Sequence, residues 1–196
     1  FQVREGRRDR ARQPAPPEAS RVRVSFHALG ALYEARRDMA IRDPLTRTYN
    51  RALFEDRLKQ AIAEHRRNPS SVAILLIDMV RFKYVNDLLG HHTGDLLLKQ
   101  VVERISSALR ESDTLARLGG DEFAVLATSC DARQGHGIAD KIRAAIGELK
   151  VVSADRQLDV SACVGVASID SQTDSIVSVL ASSEIACKAA KDGGRD

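Results

Sequence analysis

Tryptophan is absent from this chain, and phenylalanine and tyrosine bring the aromatic share to only 4%. So few rings leave little stacking surface for gripping single-stranded nucleic acid. The basic stretch between Arg4 and Arg12 does not restore that role, because it is short and lies outside the periodic part of the sequence. Nucleic acid is therefore not an expected partner. No run of about 18 apolar residues occurs, so no transmembrane helix lies inside the chain. The start has no apolar h-region of a secretory signal. It also lacks Met and reads as a piece cut from a longer protein. Cysteines number three and stand far apart, at Cys130, Cys163 and Cys187. An odd count without C-x-x-C spacing argues against a disulfide framework or zinc site and for a reducing, cytoplasmic location. Neither G-x-x-x-x-G-K-[ST] nor G-x-G-x-x-G occurs, so any nucleotide is handled without a Walker or Rossmann loop.

What remains is a chain of 196 residues, 43% hydrophobic, with a net charge of +3 that gathers near its start. That suits one domain of ordinary size plus an extension. Residues 1–20, Arg-rich and then Pro-rich, read as a flexible linker. Residues 21–42 read as a helix: Val22, Phe26, Leu29, Tyr33, Arg36 and Ala40 follow steps of four and three. That short seam either packs on its own domain or pairs two copies as a signalling helix. Residues 43–196 form the domain proper. The pattern predicts a helix from about Asn50 to Arg66, then a doubly buried strand over Val72–Ile77 ending on Asp78. Next come a short helix over Phe82–Leu89, a turn at Gly90–Gly94 and a long helix from about Asp95 to Arg110. A hairpin, a helix to about Leu149, a strand over Leu158–Ile169 and a helix over Ser175–Asp192 complete the chain. Alternating helices and strands predict an α/β (α+β) domain with a mixed central sheet flanked by helices.

The chemistry gathers on Arg117-Leu118-Gly119-Gly120-Asp121-Glu122-Phe123. Apolar runs flank a glycine pair and two acids, which reads as a tight β-hairpin with carboxylates at its tip. Taken alone, it is equally an ordinary solvated turn. Asp78, ending a buried strand, is either a helix N-cap or an acid at the rim where α/β sheets bind ligands. Two carboxylates from different elements suit Mg²⁺, which leaves its other positions to water and phosphate. Asn86 and Asp95 can read a guanine edge, Asp95 accepting from its N1–H and amine. Singly, they read as a helix C-cap and an N-cap. Lys191 and Arg195, four apart near the chain end, either hold phosphates or compensate a helix dipole.

In order, these motifs resemble the GGDEF family of diguanylate cyclases. The resemblance runs from Asp43-Pro44-Leu45-Thr46 with Asn50-Arg51 to the chain end, through Asp78-Met79-Val80-Arg81-Phe82-Lys83, Asn86-Asp87, Gly90-His91-x-x-Gly94-Asp95 and the hairpin. It implies a palm-like, nucleotide-cyclase-like fold and the condensation of two GTP into cyclic di-GMP and pyrophosphate by a homodimer. Asp78, Asp121 and the Met79 carbonyl would bind Mg²⁺ (or Mn²⁺). Glu122 would support the metal or help deprotonate the attacking 3′-hydroxyl. Asn86 and Asp95 would read guanine. Phe82, Lys83, Lys191 and Arg195 would contact phosphate, with Gly119 and Gly120 allowing its close approach. Arg110 and Asp113 resemble an R-x-x-D inhibitory site for the product, and otherwise read as a local salt bridge. The resemblance leaves room for a sensor domain upstream, a phosphodiesterase domain downstream and membrane attachment elsewhere in a larger protein. It also admits a non-catalytic module that senses GTP or cyclic di-GMP. Three positions depart from the family pattern: Val80 replaces the second acid after the strand, Lys188 a tyrosine, and Asp196 an asparagine.

Overall fold

The computed structural model describes residues 18–192 apart from 154, 155, 172 and 174. The chain divides into two compact units, Phe1–Asp38 and Met39–Asp196. Helix α1 spans Glu18–Ile41, and its Leu29, Leu32 and Tyr33 are exposed. There follow β1 (Tyr49–Asn50), α2 (Arg51–Arg67), β2 (Val72–Val80), α3 (Phe82–Leu89) and α4 (His91–Ser107). The chain continues through β3 (Thr114–Gly119), β4 (Glu122–Thr128), α5 (Ala132–Gly147), β5 (Lys150–Ser153), β6 (Arg156–Asp159), β7 (Ser161–Ile169) and α6 (Ile176–Asp192).

The five-stranded sheet has the order β1-β3-β4-β2-β7, parallel between β1 and β3 and antiparallel elsewhere, and β5 and β6 form a separate pair. This is the mixed, helix-flanked sheet that the alternation of elements predicts. Strand β2 has β4 on one side and β7 on the other, so its backbone is paired on both edges and its aliphatic run is buried on both faces. Side chains alternate along a strand. Ala73, Leu75, Ile77 and Met79 meet Leu98, Val101 and Ile105 of α4 and Ile142 and Ile146 of α5. Val72, Ile74 and Leu76 meet Phe54, Leu58 and Ile62 of α2 and Val179 and Cys187 of α6. Asp78 shares the parity of the second set and is thereby aimed at the α6 side.

Three boundaries differ from the sequence pattern. Strand β2 does not end at Asp78, because β7 keeps pairing with it through Met79↔Ala162 and Val80↔Ser161 after β4 has stopped at Asp78↔Glu122. The expected turn over Gly90–Gly94 is the first turn of α4. Only Gly90 leaves the helix, at φ +82, and the Thr93 hydroxyl donates to the Leu89 carbonyl at 3.0 Å. The expected strand over Leu158–Ile169 breaks at Val160, its first part turning back on β5, with Lys150 Nζ 2.8 Å from Asp159. Strands β1 and β5 are too short to carry a readable period.

Helix α6 lies tight against β7 at Gly165, where a Cβ would run into the Ser183 carbonyl and the Cys187 backbone nitrogen. We expect Gly165→Ala to lift α6 off the sheet and cost about 1–3 kcal/mol, as overpacking in a close-packed core does. Urea unfolding reads this directly, and an unchanged midpoint would contradict it.

Candidate active site

The register that pairs Asp78 with Glu122 brings two motifs from distant parts of the chain to one end of the sheet. Between β3 and β4 the chain turns through Gly120 and Asp121, and the Met79 N–H donates to the Asp121 carbonyl at 3.4 Å. The pairing of β3 with β4 slips between Arg117 and Gly119, a bulge that leaves Gly119 and Gly120 at φ +147 and +52. Both values favour glycine. Among the described residues, chain neighbours aside, no atom lies within 4 Å of where a Cβ would stand on either, so the tip presents bare backbone.

The tip is held from below by arginine. Arg117 Nε and Nη2 donate to the Gly120 carbonyl at 3.0 and 2.6 Å, while its Nη1 reaches Asp43 at 3.1 Å. Asp43 in turn accepts from the Thr46 N–H at 2.8 Å and its hydroxyl at 2.7 Å. Burial works against charge on Asp43, but the Thr46 hydrogen bonds and then Arg117 hold its carboxyl below the usual range. Arg51 Nε donates to the Leu118 carbonyl at 3.1 Å. The sequence pattern assigns no role to Arg51 or Arg117; side chains that hold backbone carbonyls across the fold leave no periodic signal.

Asp78, Met79, Val80, Arg81 and Lys191 line a hollow of about 230 Å³ beside the two acids. Arg81 sits in the left-handed region at φ 60, and its side chain makes no cap hydrogen bond, so the N–H groups of Phe82 and Lys83 open α3 without a capping side chain from the N-cap residue. A helix start with unsatisfied N–H groups attracts anions. Lys191 Nζ lies 2.8 Å from Asp78 Oδ2. Burial disfavours the Lys191 ammonium, but its hydrogen bond to Asp78 and their mutual attraction prevail, and its pKa is raised. Burial pushes the Asp121 carboxyl up; Asp78 adds to the rise, while its own backbone N–H, Lys191 and Arg117 oppose it. Beneath the site, burial and then Asp78 push the Cys187 thiol up to about 11, which leaves it unreactive. Among the described residues no group of three or more His, Cys, Asp or Glu could hold a metal. Two carboxylates with a cation drawn onto one of them fit a hard, largely hydrated ion such as Mg²⁺ and not a zinc centre. A larger hollow of about 660 Å³ lies beside α2, but among the described residues Glu64 is its one lining acid.

Asn86 and Asp95 serve neither of the cap roles open to them. Asn86 lies within α3, whose C-cap is Gly90, and Asp95 lies past the first turn of α4, whose N-cap is also Gly90. Asn86 packs against Gly94, the residue before Asp95, where a Cβ would strike the Asn86 carboxamide oxygen. Arg110 and Asp113 lie at the opposite end of β3 from the tip, about 20 Å away at the rise of a strand. Asp113 Oδ2 accepts from the Arg110 backbone N–H at 2.9 Å, and no ion pair joins their side chains among the described residues. The alternative of a local salt bridge is thus not what the structure shows. Arg195 lies outside the described residues.

Comparison with known proteins places this geometry. Residues 40–196 match the family described as "Diguanylate cyclase, GGDEF domain". The chain is similar to the probable diguanylate cyclase DgcE of Escherichia coli (strain K12), 38% identical over 156 residues, covering 80% of this chain and 14% of that protein. It is also similar to the bifunctional diguanylate cyclase/cyclic di-GMP phosphodiesterase MucR of Pseudomonas aeruginosa, 38% identical over 158 residues, covering 81% of this chain and 23% of MucR. The chain therefore spans less than a quarter of these two relatives. Among solved structures it is similar to the coiled coil and GGDEF domain of DgcB from Caulobacter crescentus in complex with c-di-GMP. That likeness has a TM-score of 0.82 at 27% identity and covers 90% of this chain and 94% of that one. Among the described residues no helix is long and apolar enough to cross a membrane.

The Asp43–Arg117 tie predicts a pH dependence. Asp43 has a folded pKa below its ordinary 3.8, so its contribution to stability is complete above that value and fades as pH falls through the lower one. We expect Asp43→Asn to cost about 1–3 kcal/mol at pH 7. It should also flatten the loss of stability below about pH 4. Urea unfolding from pH 7 to pH 3 checks both, and parallel curves for the two proteins would contradict the assignment.

Proposed function

The chain belongs to the GGDEF domain family of diguanylate cyclases, and from that membership we propose that it condenses two GTP into cyclic di-GMP, releasing two pyrophosphates, as one of two facing copies. The observation that carries this reading is the pairing of Asp78 with Glu122, which sets three acids beside a hollow backed by the start of α3 and Lys191. The triphosphate lies along the α3 start. The N–H groups of Phe82 and Lys83 receive it, and the Lys191 ammonium turns from Asp78 towards phosphate. Gly119 and Gly120 let the backbone close on it without a Cβ in the way. A divalent cation, Mg²⁺ or Mn²⁺, would be held by Asp78, Asp121 and the Met79 carbonyl, and would neutralise the triphosphate and acidify the attacking hydroxyl. Asp95 accepts from the guanine N1–H and amine, and the Asn86 amide meets O6. Adenine would leave those groups unpaired, at about 1–3 kcal/mol each.

Each copy holds one nucleotide. The 3′-hydroxyl of one GTP attacks the α-phosphorus of the other, a new P–O bond forms, and the bond to the β-phosphate breaks to release pyrophosphate. Glu122, at the tip beside the acids, takes the hydroxyl proton or supports the metal. The facing arrangement supplies proximity, which is most of what such a reaction asks of the protein. Product inhibition belongs to the same reading. The Arg110 guanidinium, exposed and not engaged by Asp113, is free to grip a phosphate or stack on a guanine. A sensor or phosphodiesterase domain fused elsewhere in the protein, and a cytoplasmic setting, fit the same reading.

The test is incubation with GTP and Mg²⁺, with product identified by mass spectrometry. Wild type is expected to yield cyclic di-GMP. Asp121→Asn, folded, should lose about 10²-fold or more, the several kcal/mol that a metal ligand supplies. Arg110→Ala should keep turnover and lose inhibition by added product. Bound GTP without any product at high protein concentration would instead make the domain a nucleotide sensor.

A further inference from the structure

Arg51 opens α2 with a positive charge, and the first turn of that helix holds no acid. A cation there opposes the helix dipole, so local helix energetics do not account for it. Its backbone position is fixed by Asn50. The Asn50 side chain accepts from the Leu53 N–H at 3.0 Å and donates to the Ala40 carbonyl at 2.9 Å. From that anchored start the guanidinium crosses to the hairpin. Nε donates to the Leu118 carbonyl at 3.1 Å, and Nη2 stands 4.0 Å from Glu122 Oε2. Nη1 stands 3.8 Å from Glu55, which steadies the group from its own helix.

The side chains of Arg51 and Glu122 are 52% and 46% exposed, so as an ion pair they add little to stability. What the contact does is geometric. Leu118 sits in the bulge just before the glycine pair, and Arg117 holds the carbonyl of Gly120, the second glycine of the pair. Gly119 and Gly120 have no side chain to lock them, and among the described residues, their chain neighbours aside, no atom lies within 4 Å of where a Cβ would stand. The two arginines therefore grip the tip at either end, and only Arg51 also reaches the Glu122 carboxylate.

We propose that Arg51 is a positioning residue that fixes the hairpin tip and the place of the Glu122 carboxylate for the condensation. This rests on the cyclase reading above. The fork shape of arginine matters here, since one group must serve a carbonyl and a carboxylate at once; lysine, a point charge, serves one or the other.

The test uses the whole chain with Arg51→Ala and Arg51→Lys, each alone and with Glu122→Gln. Cyclic di-GMP formation is followed by mass spectrometry, and hydrogen exchange over residues 115–125. Arg51→Ala should lower kcat about 10-fold or more with KM for GTP changed less than about 3-fold. Arg51→Lys should recover part of the loss. With Glu122→Gln already present, Arg51→Ala should lower the residual rate by less than about 2-fold, since the two act as a unit. Exchange should quicken at the tip and stay unchanged over residues 72–77. An unchanged kcat and unchanged tip exchange would overturn the proposal. So would a full additional loss in the Glu122→Gln background, or faster exchange through the whole sheet. If wild type made no cyclic di-GMP, the cyclase reading would fail, while tip exchange would still report whether Arg51 holds the hairpin.

Discussion

The structure depends most on one strand pairing. Asp78 stands opposite Glu122 across β2 and β4, and opposite Cys163 across β2 and β7. Side chains alternate along a strand, so a slip of one residue would turn Asp78 away from α6 and bury its charge among aliphatic groups. The hydrophobic set of β2 forbids that slip. Its two faces fill two different cores, and each core would lose its matching side chains. The register that packs the sheet is therefore the register that assembles the acids.

Around that pairing the charges are arranged in opposition. Asp78 and Asp121 repel, and burial raises the cost for Asp121. Lys191, one helical turn beyond the buried Cys187, answers with its ammonium on Asp78. Its height over the sheet is set by the close approach of α6 to β7 at Gly165. On the cyclase reading proposed above, a cation shared by both carboxylates would free the lysine for the anion that accompanies it. The hairpin completes the arrangement: bare glycine backbone at the tip gives access, and arginine bonds to the carbonyls on either side limit its freedom.

Much of this was legible in the sequence because the signals are local. The aliphatic run of β2, the glycine pair followed by two acids, and the 3.6-residue period of α2 and α4 each report their own element. Harder to read was whatever depends on a distant partner. The extension of β2 past Asp78 comes from β7, and the break at Val160 comes from β6 turning back on β5. Gly90–Gly94 carried turn chemistry, yet Gly90 alone provides the break, and Gly94 lies inside α4, where Asn86 occupies the space a side chain would need. The acids of the site were visible as residue types. Their supports, Arg117 and Arg51, act through long side chains onto backbone carbonyls 3 and 67 positions away in the chain. Nothing in a periodic pattern marks such contacts.

The most direct test of the central claim is a crystal structure with Mn²⁺ and a GTP analogue that resists attack at the α-phosphate, read by the anomalous signal of manganese. The metal should lie between the Asp78 and Asp121 carboxylates, with the triphosphate at the start of α3, guanine against Asn86 and Asp95, and Lys191 moved from Asp78 to phosphate. Manganese bound away from these two acids, or nucleotide bound elsewhere with the Lys191–Asp78 pair intact, would contradict the account.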